Sequence, residues 1–167
     1  MKSIALIGFM GSGKTSVGEK LAEALKYNCI DTDAMIVEKY GVISDIFETK
    51  GEAYFRDIET ETLKEALELS DTVICTGGGI ILKDENRAML RDNARVVYLE
   101  TSPETVYERV YNDEARPLLK GKKNVEDIAT MMAGRLPKYQ DAAEYIVTTD
   151  NKSIEDIVAE ILSKISK

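Results

Sequence analysis

A chain of 167 residues, 44% of them hydrophobic, can bury one sizeable core but not two comfortable ones, so a single domain is expected. Its 30 acidic against 22 basic residues give a formal charge of −8, which repels a polyphosphate backbone and argues against nucleic acid as a partner. Histidine is absent and no C-x-x-C occurs, so neither a zinc site nor a histidine-based triad can be built, and a general base must be a carboxylate, lysine, tyrosine or cysteine.

The first predicted element is a buried parallel strand over Ser3–Ile7. It starts so near the first residue that no cleavable leader is expected. No apolar run approaches the roughly eighteen residues of a membrane span, so no membrane partner is expected and the cytosol is the expected compartment. Gly8-Phe9-Met10-Gly11-Ser12-Gly13-Lys14-Thr15 follows and fills every fixed position of G-x-x-x-x-G-K-[ST]. Beyond it, Val17, Leu21, Ala24 and Leu25 are spaced like one face of a helix. At such a strand-to-helix junction the free N–H groups and the positive end of the helix dipole meet at one spot, and glycine lets the backbone wrap a phosphate. The pattern therefore predicts nucleotide binding, with Lys14 reaching the β and γ phosphates and the Thr15 hydroxyl holding Mg²⁺.

A second strand is predicted near Asn28–Ile30, followed by Asp31-Thr32-Asp33. Both carboxylates then project from the ligand edge of the sheet. On an extended segment residues two apart point the same way, which sends Asp31 toward the metal region and Asp33 toward the phosphoryl acceptor; capping of the next helix is the plainer alternative for either one. From Gly41 and Gly51 to Leu69 the pattern is helical with no strand between, which suggests an insertion over one end of the sheet, about 32–65, as a candidate substrate lobe. A third strand, Thr72–Thr76, runs into Gly77-Gly78-Gly79, where bare backbone amides allow close approach of a ligand. Cys29 and Cys75 fall inside these two strand segments, where each is expected to behave as a small hydrophobe without a structural disulfide.

Strands are predicted again at Arg95–Leu99 and Tyr145–Thr148, and their alternation with helices implies right-handed crossovers and a parallel sheet. Ser102-Pro103 and Ser153 with Asp156 mark helix starts. The polar segment Asn112–Asn124, with Pro117, Gly121 and the basic run Lys120 to Lys123, reads as a mobile lid loop. Arg56, Arg116 and Arg135 would each pass for a surface arginine on composition alone.

Taken in order, GFMGSGKT, DTD, the FRDIE segment at Phe55–Glu59, TGGG at Thr76–Gly79, RPLL at Arg116–Leu119 and R-x-P-x-Y at Arg135–Tyr139 resemble the shikimate kinase family over nearly the whole chain. The resemblance implies an α/β three-layer sandwich with a five-stranded parallel sheet of the P-loop nucleoside-monophosphate-kinase type. It also implies transfer of the ATP γ-phosphoryl group to the 3-hydroxyl of shikimate, with Mg²⁺ as cofactor. Carried onto this sequence, Gly11, Ser12, Gly13, Lys14, Thr15 and Ser16 bind nucleotide, Thr15 and Asp31 serve Mg²⁺, and Arg109 lies against adenine. Asp33 binds the substrate hydroxyls and is the candidate base. Arg56 and Arg135 grip the substrate carboxylate, Gly77, Gly78 and Gly79 present backbone to it, and Arg116 closes from the lid. A planar, permanently charged guanidinium suits a carboxylate even on an acidic protein. A monomer is expected. The sequence departs from the family in the acidic lid entry Asn112-Asp113-Glu114-Ala115 and in Asp150-Asn151-Lys152, which lacks an adenine-side arginine.

A gluconate-type or nucleoside monophosphate kinase shares the loop and lid, but the arginine pair with DTD and TGGG favours a cyclic hydroxy acid. A GTPase-like switch is the rival that is not an enzyme. Asn151-Lys152 begins like N-K-x-D, yet Ile154 stands where that motif needs Asp, and no D-x-x-G occurs.

Overall fold

The computed structural model describes residues 2–110 and 124–166; the expected lid, 112–124, lies outside them apart from Asn124, and so does Arg116. Strand β1, Ser3–Ile7, is buried along its whole length, as the continuous apolar run requires of a central parallel strand. It pairs in parallel with β3, Thr72–Cys75, on one side and with β4, Ala94–Glu100, on the other. β2, Asn28–Asp31, and β5, Tyr145–Thr148, form the edges, giving the order β2-β3-β1-β4-β5. The five predicted strands are all present and all parallel, with ends shifted by a residue or so.

The pleat divides the strand side chains between two cores. Ile4, Leu6, Val73, Cys75, Val97, Leu99 and Val147 pack with Leu21 of α1, Lys14–Leu25, and Ile161 of α8, Ile154–Ile165. Ala5, Ile7, Ile74, Val96 and Tyr98 face the opposite layer. There they meet Leu63 of α4, Glu52–Leu67, Leu90 of α5, Asp84–Asn93, and Tyr139 of α7, Val125–Ala142. The result is the expected three-layer α/β sandwich. The remaining helices are α2, Thr32–Tyr40, α3, Ile43–Lys50, and α6, Pro103–Val110. α2, α3 and α4 follow one another with no strand between, and Ile36, Ile46, Phe55 and Ile58 form a small core among them.

The capping predictions hold. Ser102 Oγ accepts from Thr105 N at 3.3 Å ahead of Pro103, and Ser153 Oγ accepts from Asp156 N at 3.0 Å. Two expectations fail. Thr32 opens α2, so Asp31-Thr32-Asp33 is not an extended segment: Asp31 closes β2 and caps the helix, its Oδ1 accepting from Asp33 N at 2.9 Å and Ala34 N at 3.1 Å. Cys29 is not a buried hydrophobe either; it is exposed on the edge strand β2, and its thiol meets that of buried Cys75. Burial drives the Cys75 thiol far above the ordinary range, and the pair are free thiols.

Cys75 also sets how closely α1 approaches the sheet. A Cβ at Gly18 would stand 2.2 Å from its Sγ and 3.5 Å from Leu6 and Val73 side-chain carbons. Gly18→Ala is expected to destabilise the fold by about 1–3 kcal/mol in urea titrations, and Cys75→Ala in the same chain to restore part of that loss. Equal stability of the Gly18→Ala variant and the parent would refute the close packing.

Candidate active site

Two glycine-containing turns leave adjacent strands at the same sheet edge. After β1 comes Gly8–Thr15, in which Gly11 and Gly13 take φ values of +80° and +88°, a left-handed conformation that a side chain would strain. Gly13 is the N-cap of α1, so the loop delivers its amides to the positive end of that helix. Lys14 Nζ donates to Gly8 O at 2.7 Å, Phe9 O at 3.1 Å and Ser12 Oγ at 3.3 Å, which folds the ammonium across the loop. Thr15 Oγ1 donates to Asp31 Oδ2 at 3.1 Å. One Asp31 oxygen thus caps α2, the plainer alternative considered for it, while the other faces Thr15.

After β3 comes Thr76–Gly79. Thr76 Oγ1 and N both donate to Leu6 O, at 2.7 and 3.2 Å, and Gly77 N donates to Thr32 Oγ1 at 3.2 Å. A Cβ at Gly77 would lie 2.7 Å from Asp33 Oδ1, one at Gly78 would lie 3.1 Å from Met10 N, and one at Gly79 would lie 2.3 Å from Arg56 Nη1. Each glycine is crowded by a different neighbour.

A cavity of about 520 Å³ opens between the turns. Its lining includes Gly11, Ser12, Gly13, Lys14, Thr15, Ser16, Asp31, Asp33, Gly77, Gly78 and Arg109, which accounts for most of the predicted site in one place. Arg109 Nη1 donates to Gly11 O at 2.7 Å. Lys152 and Ile154 line the far end, with Lys152 Nζ held 2.8 Å from Glu160 Oε1. The sequence pointed to this end as a place lacking an arginine and as an incomplete N-K-x-D match.

Gly79, Arg56 and Arg135 lie beside the cavity rather than on its wall. Both arginines are 8% exposed, against the surface position that composition suggests. Arg56 Nη1 donates to Glu59 Oε1 at 2.9 Å and its Nε donates to Glu52 Oε2 at 3.3 Å. Its buried Nη2 has no hydrogen-bond partner among the described residues. Arg135 Nη1 donates to Gly78 O at 3.4 Å, and its guanidinium stands 5.4 Å from the centre of the Phe9 ring. Glu59, itself 1% exposed, feels Arg56, Asp33 and Arg135. Desolvation raises its carboxyl from 4.5 to about 6 against the opposing pull of Arg56.

Comparison with known proteins agrees with the geometry. The shikimate kinase family model matches residues 10–166. The chain belongs to the shikimate kinase family. The shikimate kinase of Dictyoglomus turgidum is 43% identical over 168 residues, covering 98% of this chain and 96% of the relative. A shikimate kinase from Acinetobacter baumannii in complex with shikimate superposes with a TM-score of 0.96 at 38% identity, covering 99% of this chain and 93% of that one. A gluconokinase from Sinorhizobium meliloti, at 22% identity and a TM-score of 0.62 over 99% of this chain and 91% of that one, shares the fold alone. Family membership makes the chain an ATP-dependent phosphotransferase of P-loop type.

Glu59 and Thr32 were missed by sequence reasoning although both sit inside quoted motifs. Glu59 is three residues after Arg56 on α4, a spacing that puts the two on one face, and that signal was available. Because the folded protein holds the Glu59 proton more tightly than the unfolded chain, this residue's stabilising share is full below about pH 4.5 and declines as pH rises to about 6. Relative to Glu59→Gln, the parent is expected to lose about 2 kcal/mol between pH 4.5 and 7 in urea titrations. A pH-independent difference would show that Glu59 titrates normally.

Proposed function

We propose that the chain transfers the γ-phosphoryl group of ATP to the 3-hydroxyl of shikimate, giving shikimate 3-phosphate and ADP. The observation that carries this reading is the buried Arg56, whose Nη2 lacks a partner among the described residues while Arg135 stands on the same glycine turn. A desolvated guanidinium nitrogen with a free N–H asks for an anion, and a carboxylate fits its planar donors.

On this reading Gly11–Ser16 wrap the triphosphate, and Lys14 moves from the loop carbonyls onto its β and γ oxygens. The Thr15 hydroxyl and Asp31 Oδ2, 3.1 Å apart, are a hard oxygen pair of the kind Mg²⁺ takes, with substrate phosphates and water completing the set. Bound there, the ion would neutralise charge on the β and γ phosphates. Arg109 and Lys152 flank the nucleoside end. Arg56 and Arg135 hold the acceptor carboxylate against Gly78 and Gly79, and Gly77 spaces it from Asp33. Asp33 orients the acceptor hydroxyl. The hydroxyl oxygen attacks phosphorus, the bond to the β–γ bridging oxygen breaks, and the hydroxyl proton passes to the Asp33 carboxylate late in the transfer. Arg116 is assigned to the transferring phosphoryl group by the family resemblance, as a lid residue. No helix among the described residues is long and apolar enough to cross a membrane. The absence of a nucleic-acid partner accords with the acidic composition, and a cytoplasmic monomer completes this reading.

Shikimate-dependent ADP release in a coupled assay tests the reaction, and preferential phosphorylation of gluconate or AMP would overturn the acceptor. Arg135→Ala is expected to weaken shikimate binding about a hundredfold by isothermal titration, the loss of a charged hydrogen-bonding partner, while ATP affinity changes only a few fold. Unchanged shikimate affinity would remove Arg135 from the site.

A further inference from the structure

The R-x-P-x-Y segment contributes more than its arginine. Arg135 and Tyr139 are four residues apart on α7, so they lie on one face of the helix despite Pro137 between them. Both reach the same atom. Tyr139 Oη donates to Gly78 O at 2.5 Å and Arg135 Nη1 donates to it at 3.4 Å. Tyr139 is 1% exposed, and its ring stacks on Tyr98 with centroids 4.8 Å apart and planes 7° from parallel. The phenol is therefore held in one place by packing before it makes any bond. Burial pushes its ionisation well above the usual tyrosine range, so it stays a neutral donor throughout the physiological range.

What the phenol holds follows from peptide geometry. In a planar trans peptide the N–H of one residue points opposite to the carbonyl of the residue before. Fixing the Gly78 carbonyl toward α7 therefore fixes the direction of the Gly79 N–H, on the residue against which Arg56 packs. A glycine pair has the widest choice of φ and ψ, so this peptide would otherwise turn most easily of any in the site. The same carbonyl is the hydrogen-bond partner of Arg135. Without the phenol, the guanidinium becomes the sole side-chain donor to that oxygen among the bonds described here and loses the phenol oxygen that it also meets.

We propose that Tyr139 is a positioning residue for the phosphoryl acceptor: its hydroxyl locks the Gly78–Gly79 peptide and, by sharing the Gly78 carbonyl, leaves the Arg135 guanidinium oriented for the acceptor carboxylate. The proposal rests on the reading that shikimate sits against Arg56, Arg135 and this turn. It acts through Gly78 and Arg135, without contact between Tyr139 and the acceptor.

Tyr139→Phe removes one oxygen and keeps the stacked ring. The expected result is a five- to twentyfold rise in the shikimate KM and Kd, about the loss of one buried hydrogen bond, with the KM for ATP within about twofold of the parent. Arg135→Ala runs alongside as the control on the site itself. If Arg135→Ala weakens shikimate binding and Tyr139→Phe leaves it within about twofold, the role of Tyr139 is refuted and the site stands. If neither variant changes shikimate affinity, both readings fall. A loss of equal size for both substrates shows a merely structural tyrosine and also refutes the proposal. Should Tyr139→Phe not fold, the parent decides: a slowly exchanging phenolic proton with a nuclear Overhauser contact to the Gly78 α-protons, retained on adding shikimate, is expected, and its absence from the complex overturns the lock.

Discussion

The closeness of the Gly77–Gly79 turn to its neighbours on every side is the constraint on which the rest of the site depends. Backbone of the phosphate loop presses on Gly78, the Arg56 guanidinium on Gly79 and the Asp33 carboxylate on Gly77, each within 3.1 Å of where an added Cβ would stand, so that a side chain there would make its neighbour shift. A turn made of bare backbone can therefore serve as a thin partition between the phosphate loop on Gly78 and the Arg56 guanidinium on Gly79. Phosphoryl transfer is governed by how near donor and acceptor are held and how their charges are met, with little covalent work for the protein. One methyl group in the partition would widen that separation or displace a charged side chain.

Charge is the second half of the same design. At a formal −8 the chain repels anions at long range, so an anionic acceptor must be selected by local groups in a desolvated place. Burying Arg56 and Arg135 is costly unless their donors are met. Glu59 meets one nitrogen of Arg56, Glu52 another, and Gly78 one of Arg135, while Phe55 and Phe9 lie under the two guanidinium groups at 5.3 and 5.4 Å from ring centre to charge. That arrangement leaves each guanidinium oriented before substrate arrives and leaves Arg56 Nη2 in want of an oxygen. The raised ionisation of Glu59 records what the arrangement costs: a carboxylate is kept out of water in order to aim an arginine.

Much of this was legible in the chain itself, because local signals carried it. The phosphate loop is a contiguous pattern, the strands are contiguous apolar runs, and Ser102 and Ser153 cap helices through bonds three residues away. What stayed hidden depended on contacts between distant segments. Tyr139 meets Gly78 across 61 positions, and Gly77 meets Thr32 across 45. Arginine burial was hidden for the same reason, since only the tertiary neighbours of Arg56 and Arg135 distinguish them from surface residues. The error at Asp31-Thr32-Asp33 has a local cause: an Asp at the end of a strand is also a good helix cap, and here the cap forms at once, so the helix begins a residue sooner than an extended reading allows. Even so, both carboxylates reach the cavity, because the cap leaves one Asp31 oxygen free to face Thr15 and the first helical turn presents Asp33 to the Gly77 turn.

Topology explains why these distant segments meet at all. β1 and β3 are neighbours, but the chain leaves them for opposite layers: the loop after β1 enters α1, packed with α8, while the turn after β3 runs toward α5 on the face shared with α4 and α7. Where successive connections part to opposite faces of a parallel sheet, a crevice opens at the carboxyl ends of the strands. The phosphate loop is thereby anchored to one helical layer, and the arginines of α4 and α7 to the other. The phosphate loop and the arginine-bearing helices meet across the Gly77–Gly79 turn and again where Arg135 stands over Phe9, so the bonds that hold this turn, from Thr32, Thr76 and Tyr139, help set how the two layers align at the cleft.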